Sequence, residues 1–85
     1  MKVMLEFLDG HDIRVHQRDL EYQGMPPLPA VGEVAFILDR DRSGASMAPI
    51  VRRVVRRQFT YLYGDSPDFP DIKVTFWVEA VDASA

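Results

Sequence analysis

Every second residue from Ile72 to Ala80 is apolar: Ile72, Val74, Phe76, Val78 and Ala80 alternate with Lys73, Thr75, Trp77 and Glu79. Successive side chains of a β-strand point to opposite faces, so this period of two describes a strand with one face against a core. A chain of 85 residues has room for one such core, and residues 1–85 are expected to form a single domain. The elements that complete that core are then to be sought in the remaining apolar runs.

Near the start, Val3, Leu5 and Phe7 alternate with Lys2, Met4, Glu6 and Leu8, a second half-buried strand. Asp9-Gly10 signals a tight turn, after which Ile13 and Val15 resume the alternation. Matching apolar faces pairs Phe7 with Ile13 and Leu5 with Val15 across a loop at 9–11, and sets Glu6 opposite Arg14. Gln17 to Gly32 contains Gly24, Pro26, Pro27 and Pro29 with little periodicity, and is expected to be an irregular connection. Strand character returns at Glu33 to Asp39. There Val34, Phe36 and Leu38 alternate, while Ala35 and Ile37 make the run nearly continuous, as in a central strand covered on both faces. Asp39 to Ser46 is a polar loop.

Residues 49–63 fit two periods. Val51, Val54, Val55, Gln58, Phe59 and Leu62 would form one helical face opposite Arg52, Arg53, Arg56 and Arg57. The valines, Phe59, Thr60, Tyr61 and Tyr63 carry bulk near the backbone that suits strands, so a bent strand with a bulge near Arg52-Arg53 is expected. A helix at 49–58, which would make the fold α+β, is the alternative. A turn at Gly64-Asp65-Ser66-Pro67 leads to the strand at 71–81, with a short tail at 82–85. The expected fold is all-β and mostly antiparallel: a meander of five to six strands curled into a small barrel, because a flat sheet would leave two edges open.

The segment Leu28-Pro29-Ala30-Val31-Gly32-Glu33-Val34, followed by Val51-Arg52-Arg53-Val54, resembles small SH3-like barrel proteins of bacteria and their phages. Those proteins show a Pro-x-Val-Gly-Glu-x-Val turn into a strand, then a Val-x-x-Val strand. The resemblance spans roughly residues 1–81 and implies a barrel in which Gly32 makes the turn and Val34 enters the core. It carries over no catalytic residue, and the loop from Arg40 to Ala48 and the four arginines depart from the pattern.

With 47% hydrophobic and 27% charged residues, the composition is that of a folded domain. The chain has no cysteine, which excludes disulfides, thiolate metal sites and a cysteine nucleophile and suits a reducing cytoplasm. Glu6 interrupts the N-terminal apolar run too early for a signal-peptide core, and no apolar stretch approaches the ~20 residues of a membrane helix. A cytoplasmic location is expected. The net charge of −3 hides a segregation: residues 1–39 carry three basic and seven acidic side chains, 40–63 six and one, and 64–85 one and five.

Several motifs carry less chemistry than they first suggest. Asp39-Arg40-Asp41-Arg42-Ser43-Gly44 begins like a calcium-binding EF-hand loop, but Ser46 and Ile50 stand where an aliphatic residue and a bidentate glutamate belong, and two arginines oppose a cation. Pro26-Pro27-Leu28-Pro29 has the form of a polyproline ligand, yet its place within the domain favours a rigid connector. His11 is assigned to a loop and His16 to an outer strand face, with no third metal ligand implied. Ser43, Ser46, Ser66 and Ser84 lack the context of an activated nucleophile. No cofactor, metal site or enzymatic activity is expected.

What remains is a basic and aromatic set: Arg52, Arg53, Arg56, Arg57, Tyr61 and Tyr63, with Lys73 and Trp77 on the strand expected to pair beside them. Trp77 falls on the nominally polar face of its strand, and Met4, Leu8 and Val81 are also assigned to outer faces, a surface apolar enough for association. A non-enzymatic module that binds a protein partner or itself is the expected function. Guanidinium groups that hold phosphates and rings that stack bases make a single-stranded nucleic-acid-binding barrel the alternative.

Overall fold

A computed structural model of the chain describes residues 1–24, 26–38, 49–64 and 70–81. Five strands account for its regular structure: β1 (Lys2–Leu8), β2 (Arg14–Glu21), β3 (Val34–Ile37), β4 (Ile50–Tyr61) and β5 (Ile72–Ala80). They form one sheet in the order β2-β1-β5-β4-β3, curled into a half-barrel. The fold is all-β, and no helix occurs among the described residues. Three of the four pairings are antiparallel, but β1 lies parallel to β5, with Val3 beside Ile72, Leu5 beside Val74 and Phe7 beside Phe76. The sheet is therefore mixed and not a simple meander. Joining β1 to β5 side by side sets the two most strictly alternating segments at its centre, where each can bury a full apolar face.

That face is the core. Val3, Phe7, Val54, Ile72, Val74, Phe76 and Val78 are buried, and Phe7 stacks on Phe76 with ring centroids 4.9 Å apart. Leu5, Val15, Ala35 and Ile37 pack against this cluster from the sheet, and Leu28 from the proline-rich connector. At roughly 1.5–3 kcal/mol for each large apolar side chain removed from water, these few residues supply most of the drive to fold.

The β1–β2 hairpin differs from its expected register. Phe7 faces His16 and Leu5 faces Arg18, and Leu8 faces Arg14. The turn itself explains the slip. Asp9 N–H donates to Ile13 C=O, Asp12 N–H donates to Asp9 C=O, and Asp12 takes a left-handed φ of 59°, so the loop is 10–12 rather than 9–11. Val15 is then an extra residue between Arg14 and His16, a bulge that turns His16, Arg18 and Leu20 toward the core side. Strand β2 also continues to Glu21, well into the stretch expected to be irregular.

Residues 49–58 are not helical. Strand β4 runs unbroken from Ile50 to Tyr61 and carries a bulge, located at Val55 between Val54 and Arg56 and not at Arg52-Arg53. The position is dictated by parity: Val54 must face Val78 in the core, while Phe59 and Tyr61 share the same side opposite Val74 and Ile72. An even and an odd residue can do so only if one residue between them is unpaired.

Before β3, Glu33 N–H donates to Ala30 C=O and Gly32 adopts a φ of +94°, a turn whose third residue favours glycine. Gly32 thus makes the turn that the sequence resemblance implied. Val34 does not enter the core. Ala35 and Ile37 pack inward, leaving Val34, Phe36 and Leu38 37%, 69% and 56% exposed. Nor is β3 a central strand, since it lies at the edge of the sheet. The polar loop at 39–46 with its EF-hand-like start, most of the turn at 64–67, the four serines and the tail at 82–85 lie outside the described residues.

Candidate interaction surface

Strand alternation distributes the four arginines over both faces of the sheet, and the bulge at Val55 decides which of them share a face. Directly opposed residues of paired strands share a face, so Arg52 beside Ala80 and Arg57 beside Phe76 lie on the core side, while Arg53 beside Glu79 and Arg56 beside Trp77 lie on the other. Each has a local partner. Arg52 Nη1 donates to Val51 C=O at 2.8 Å, and Arg57 Nη1 donates to Pro29 C=O at 3.2 Å with its guanidinium 5.1 Å from the Phe59 ring. Arg53 approaches Glu79 at 3.9 Å, and the Arg56 guanidinium lies 3.9 Å over the Trp77 ring. Arg57 therefore ties the proline-rich connector to the sheet. Pro26 is buried in the same connector, whose residues are engaged with the domain instead of being offered as a free ligand.

Trp77 is half-buried beneath Arg56, and its indole Nε1–H donates to Asp12 Oδ1 at 2.7 Å. The Asp12 acceptor was not anticipated from the sequence, although aspartate is among the few residues that tolerate the left-handed backbone this turn needs. Lys73 lies two residues along the same face and pairs at 3.6 Å with Glu6, which also meets Arg14 at 3.4 Å. Glu6 is buried there, and the residue directly opposite it is Gln17 and not Arg14 as expected. Met4, Leu8 and Val81 are half-buried. Tyr61, the last residue of β4, and Tyr63, just beyond it, are by contrast 60% and 94% exposed.

His16 sits opposite Phe7, its ring 6.2 Å from the Phe7 ring, so it lies on the core side and not on the outer face. His11 lies in the turn, where its backbone N–H donates to Asp9 Oδ1 at 2.8 Å. That carboxyl also accepts the Ile13 N–H at 3.0 Å, and the two bonds, Ile13's foremost, hold it below the usual aspartate range. Among the described residues, no group of three or more histidines and acidic side chains is placed to hold a metal ion. Among the described residues, no helix is long and apolar enough to cross a membrane.

Among the described residues, the outer edge of β3 has no paired strand. Val34, Ala35, Phe36, Ile37 and Leu38 carry no charge and no proline, whereas the opposite edge strand, β2, carries Arg14, Arg18, Asp19 and Glu21. Sheet edges normally discourage pairing with charge, proline or cover, so the two edges of this sheet are built differently. Val31 and Val55, both exposed, extend the apolar character near β3. No protein-family model, curated protein or solved structure matches the chain.

Proposed function

We propose that the chain is a non-enzymatic protein-interaction module that engages a protein through the open edge of β3. One observation carries this: an edge strand of uncharged residues with Phe36 69% exposed, in a sheet whose other edge is studded with charge. Such an edge turns backbone groups that no described residue pairs toward a strand that could add there, and its alternate side chains supply the apolar contact that makes addition specific. The absence of cysteine fits a cytoplasmic setting for it. The Gly32 turn supports a likeness to small SH3-like barrels, while the outward Val34 departs from it.

A photoreactive phenylalanine analogue placed at position 36, and separately at 63, tests this reading in the producing cell. Protein adducts concentrated at 36 are the expected result. Equal protein adducts at both positions, or none at 36, would remove the β3 edge as the interaction surface.

Single-stranded nucleic acid is the second reading, supported by the exposed rings of Tyr61 and Tyr63 beside Phe59 and Arg57. It ranks below the first because the arginines are divided between two faces and cannot line one backbone-tracking groove together. Adducts to nucleic acid at position 63 would reverse that order.

A further inference from the structure

We infer that the occupant of the β3 edge is a second copy of this chain, paired antiparallel about a two-fold axis through Phe36; this rests on the interaction-module reading above. The backbone fixes which groups point outward. Val54 N–H donates to Glu33 C=O, so alternation along the strand turns the amides and carbonyls of Ala35 and Ile37 toward β4 and those of Val34 and Phe36 outward. A sheet continued across a two-fold axis must oppose residues of the same face. The registers available are therefore those centred on a single residue.

Among these, centring on Phe36 sets Phe36 against its own copy, Val34 against Leu38 of the second copy, and Ala35 against Ile37 of the second copy. All three exposed apolar side chains, at 34, 36 and 38, then pack on one face, and Ala35 with Ile37 continues the core face on the other. Moving the centre to Ala35 would place Glu33 opposite Ile37 and leave Leu38 facing Gly32. No charge falls within the five residues of the Phe36-centred run itself, and the flanking Glu33 comes opposite Asp39 of the second copy at its two ends, whereas pairing through β2 would juxtapose charges within the paired run. Five residues on each side make a small interface, below about 1,200 Å², so the dimer forms in a concentration-dependent way.

The chain's lack of cysteine makes the register directly testable. Opposed residues of a hydrogen-bonded antiparallel pair have Cα atoms about 5.5 Å apart, within disulfide reach. Phe36→Cys should therefore give a disulfide-linked dimer under mild oxidation. Val34→Cys should not, because its copy lies four residues along, about 14 Å away. At least tenfold more linked dimer from the first variant, with a native chain that dimerises as concentration rises and a Phe36→Asp variant that stays monomeric, is the expected result. Equal linkage at the two positions, or a monomer at all concentrations with no linkage at 36, overturns self-pairing. Amide exchange at Val34 and Phe36 in the monomer then separates the two readings. Fast exchange means an open edge that takes another protein, so only self-pairing fails. Slow exchange means that the chain covers its own edge, and the interaction-module reading fails with it.

Discussion

The indole Nε1–H of Trp77 donates to Asp12 Oδ1 at 2.7 Å, a bond that closes 65 residues of chain and fastens the β1–β2 turn to the outer face of β5. Asp12 is suited to both halves of this task, because its short side chain supplies the acceptor while its backbone takes a φ of 59°. The two halves are separable by substitution. Asp12→Asn keeps the acceptor and the backbone tolerance and should cost under about 0.5 kcal/mol. Asp12→Gly frees the backbone but loses the bond, costing about 1 kcal/mol. Asp12→Ala loses the bond and adds left-handed strain, for about 2–3 kcal/mol in all. Denaturant unfolding of the three variants checks this order, and Trp77, the only tryptophan, reports the local change by fluorescence. An alanine variant as stable as the asparagine one would show that the bond does not hold in solution.

Arg56, stacked over the other side of the same indole, gives a second prediction. Its guanidinium lies 3.9 Å from the ring centroid, a geometry worth about 0.5–1 kcal/mol at exposed sites. Arg56→Gln should lose about that much and change Trp77 emission, whereas Arg53→Gln, whose partner Glu79 stands 3.9 Å away on the exposed surface, should be nearly neutral. The same proteins address nucleic acid. Titrating single-stranded DNA and RNA at low and moderate salt should leave Trp77 emission unchanged. Quenching that fades steeply with salt, and is lost when Arg52, Arg53, Arg56 and Arg57 all become glutamine, would instead favour the nucleic-acid reading.

In the core, the Phe7–Phe76 stack joins the two central strands, and Phe76 is fully buried. Phe76→Ala should cost about 3–5 kcal/mol, enough to unfold a domain whose whole stability is of the order of 5–10 kcal/mol. The outward Phe36→Ala should by contrast change monomer stability by under about 0.5 kcal/mol. Thermal unfolding of the two variants measures this contrast. A large loss from Phe36→Ala in dilute monomer would place that side chain inside the domain and move the interaction surface elsewhere.

The legible part of the fold was its period-two strands. The alternations in β1 and β5 named the core faces correctly, and the β-branched, aromatic character of residues 49–63 correctly favoured a strand over a helix. In β3 every position from Val34 to Leu38 is apolar, so alternation carries no contrast there and the run reads as a central strand covered on both faces, with Val34 in the core on the resemblance. Packing space decided otherwise, admitting Ala35 and Ile37. The parallel β1–β5 contact leaves no local trace, because the partners lie some 70 residues apart in sequence. The hairpin register was misjudged through its loop at 10–12 and the unpaired Val15, and the faces of β4 through the unpaired Val55, since a single bulge reverses the faces of everything beyond it. Strand alternation by itself explains why the four arginines, two adjacent pairs separated by Val54-Val55, form no single surface. The β3 edge was overlooked because an uninterrupted apolar run reads as a buried strand until its place in the sheet is known.

Acid stability offers the last prediction, and Asp9 is its source. The Ile13 N–H and then the His11 N–H donate to its carboxylate and lower its proton affinity in the folded chain relative to the ordinary value of 3.8. A carboxyl whose folded value lies below its unfolded one favours the folded state wherever both states are ionised. That contribution is complete above the unfolded value and is lost as pH falls through the folded value, because the unfolded chain then binds the proton first. Stability should accordingly hold from neutrality to about pH 5 and decline below about pH 4. Asp9→Asn keeps an oxygen to accept both N–H groups but cannot titrate, so it should retain most of the stability at pH 7 and show a shallower acid decline. Denaturant melts of both proteins at pH 7, 4 and 3 test this. Parallel acid limbs would show that the turn does not hold the Asp9 carboxylate in solution and would remove this residue as the source of the pH dependence.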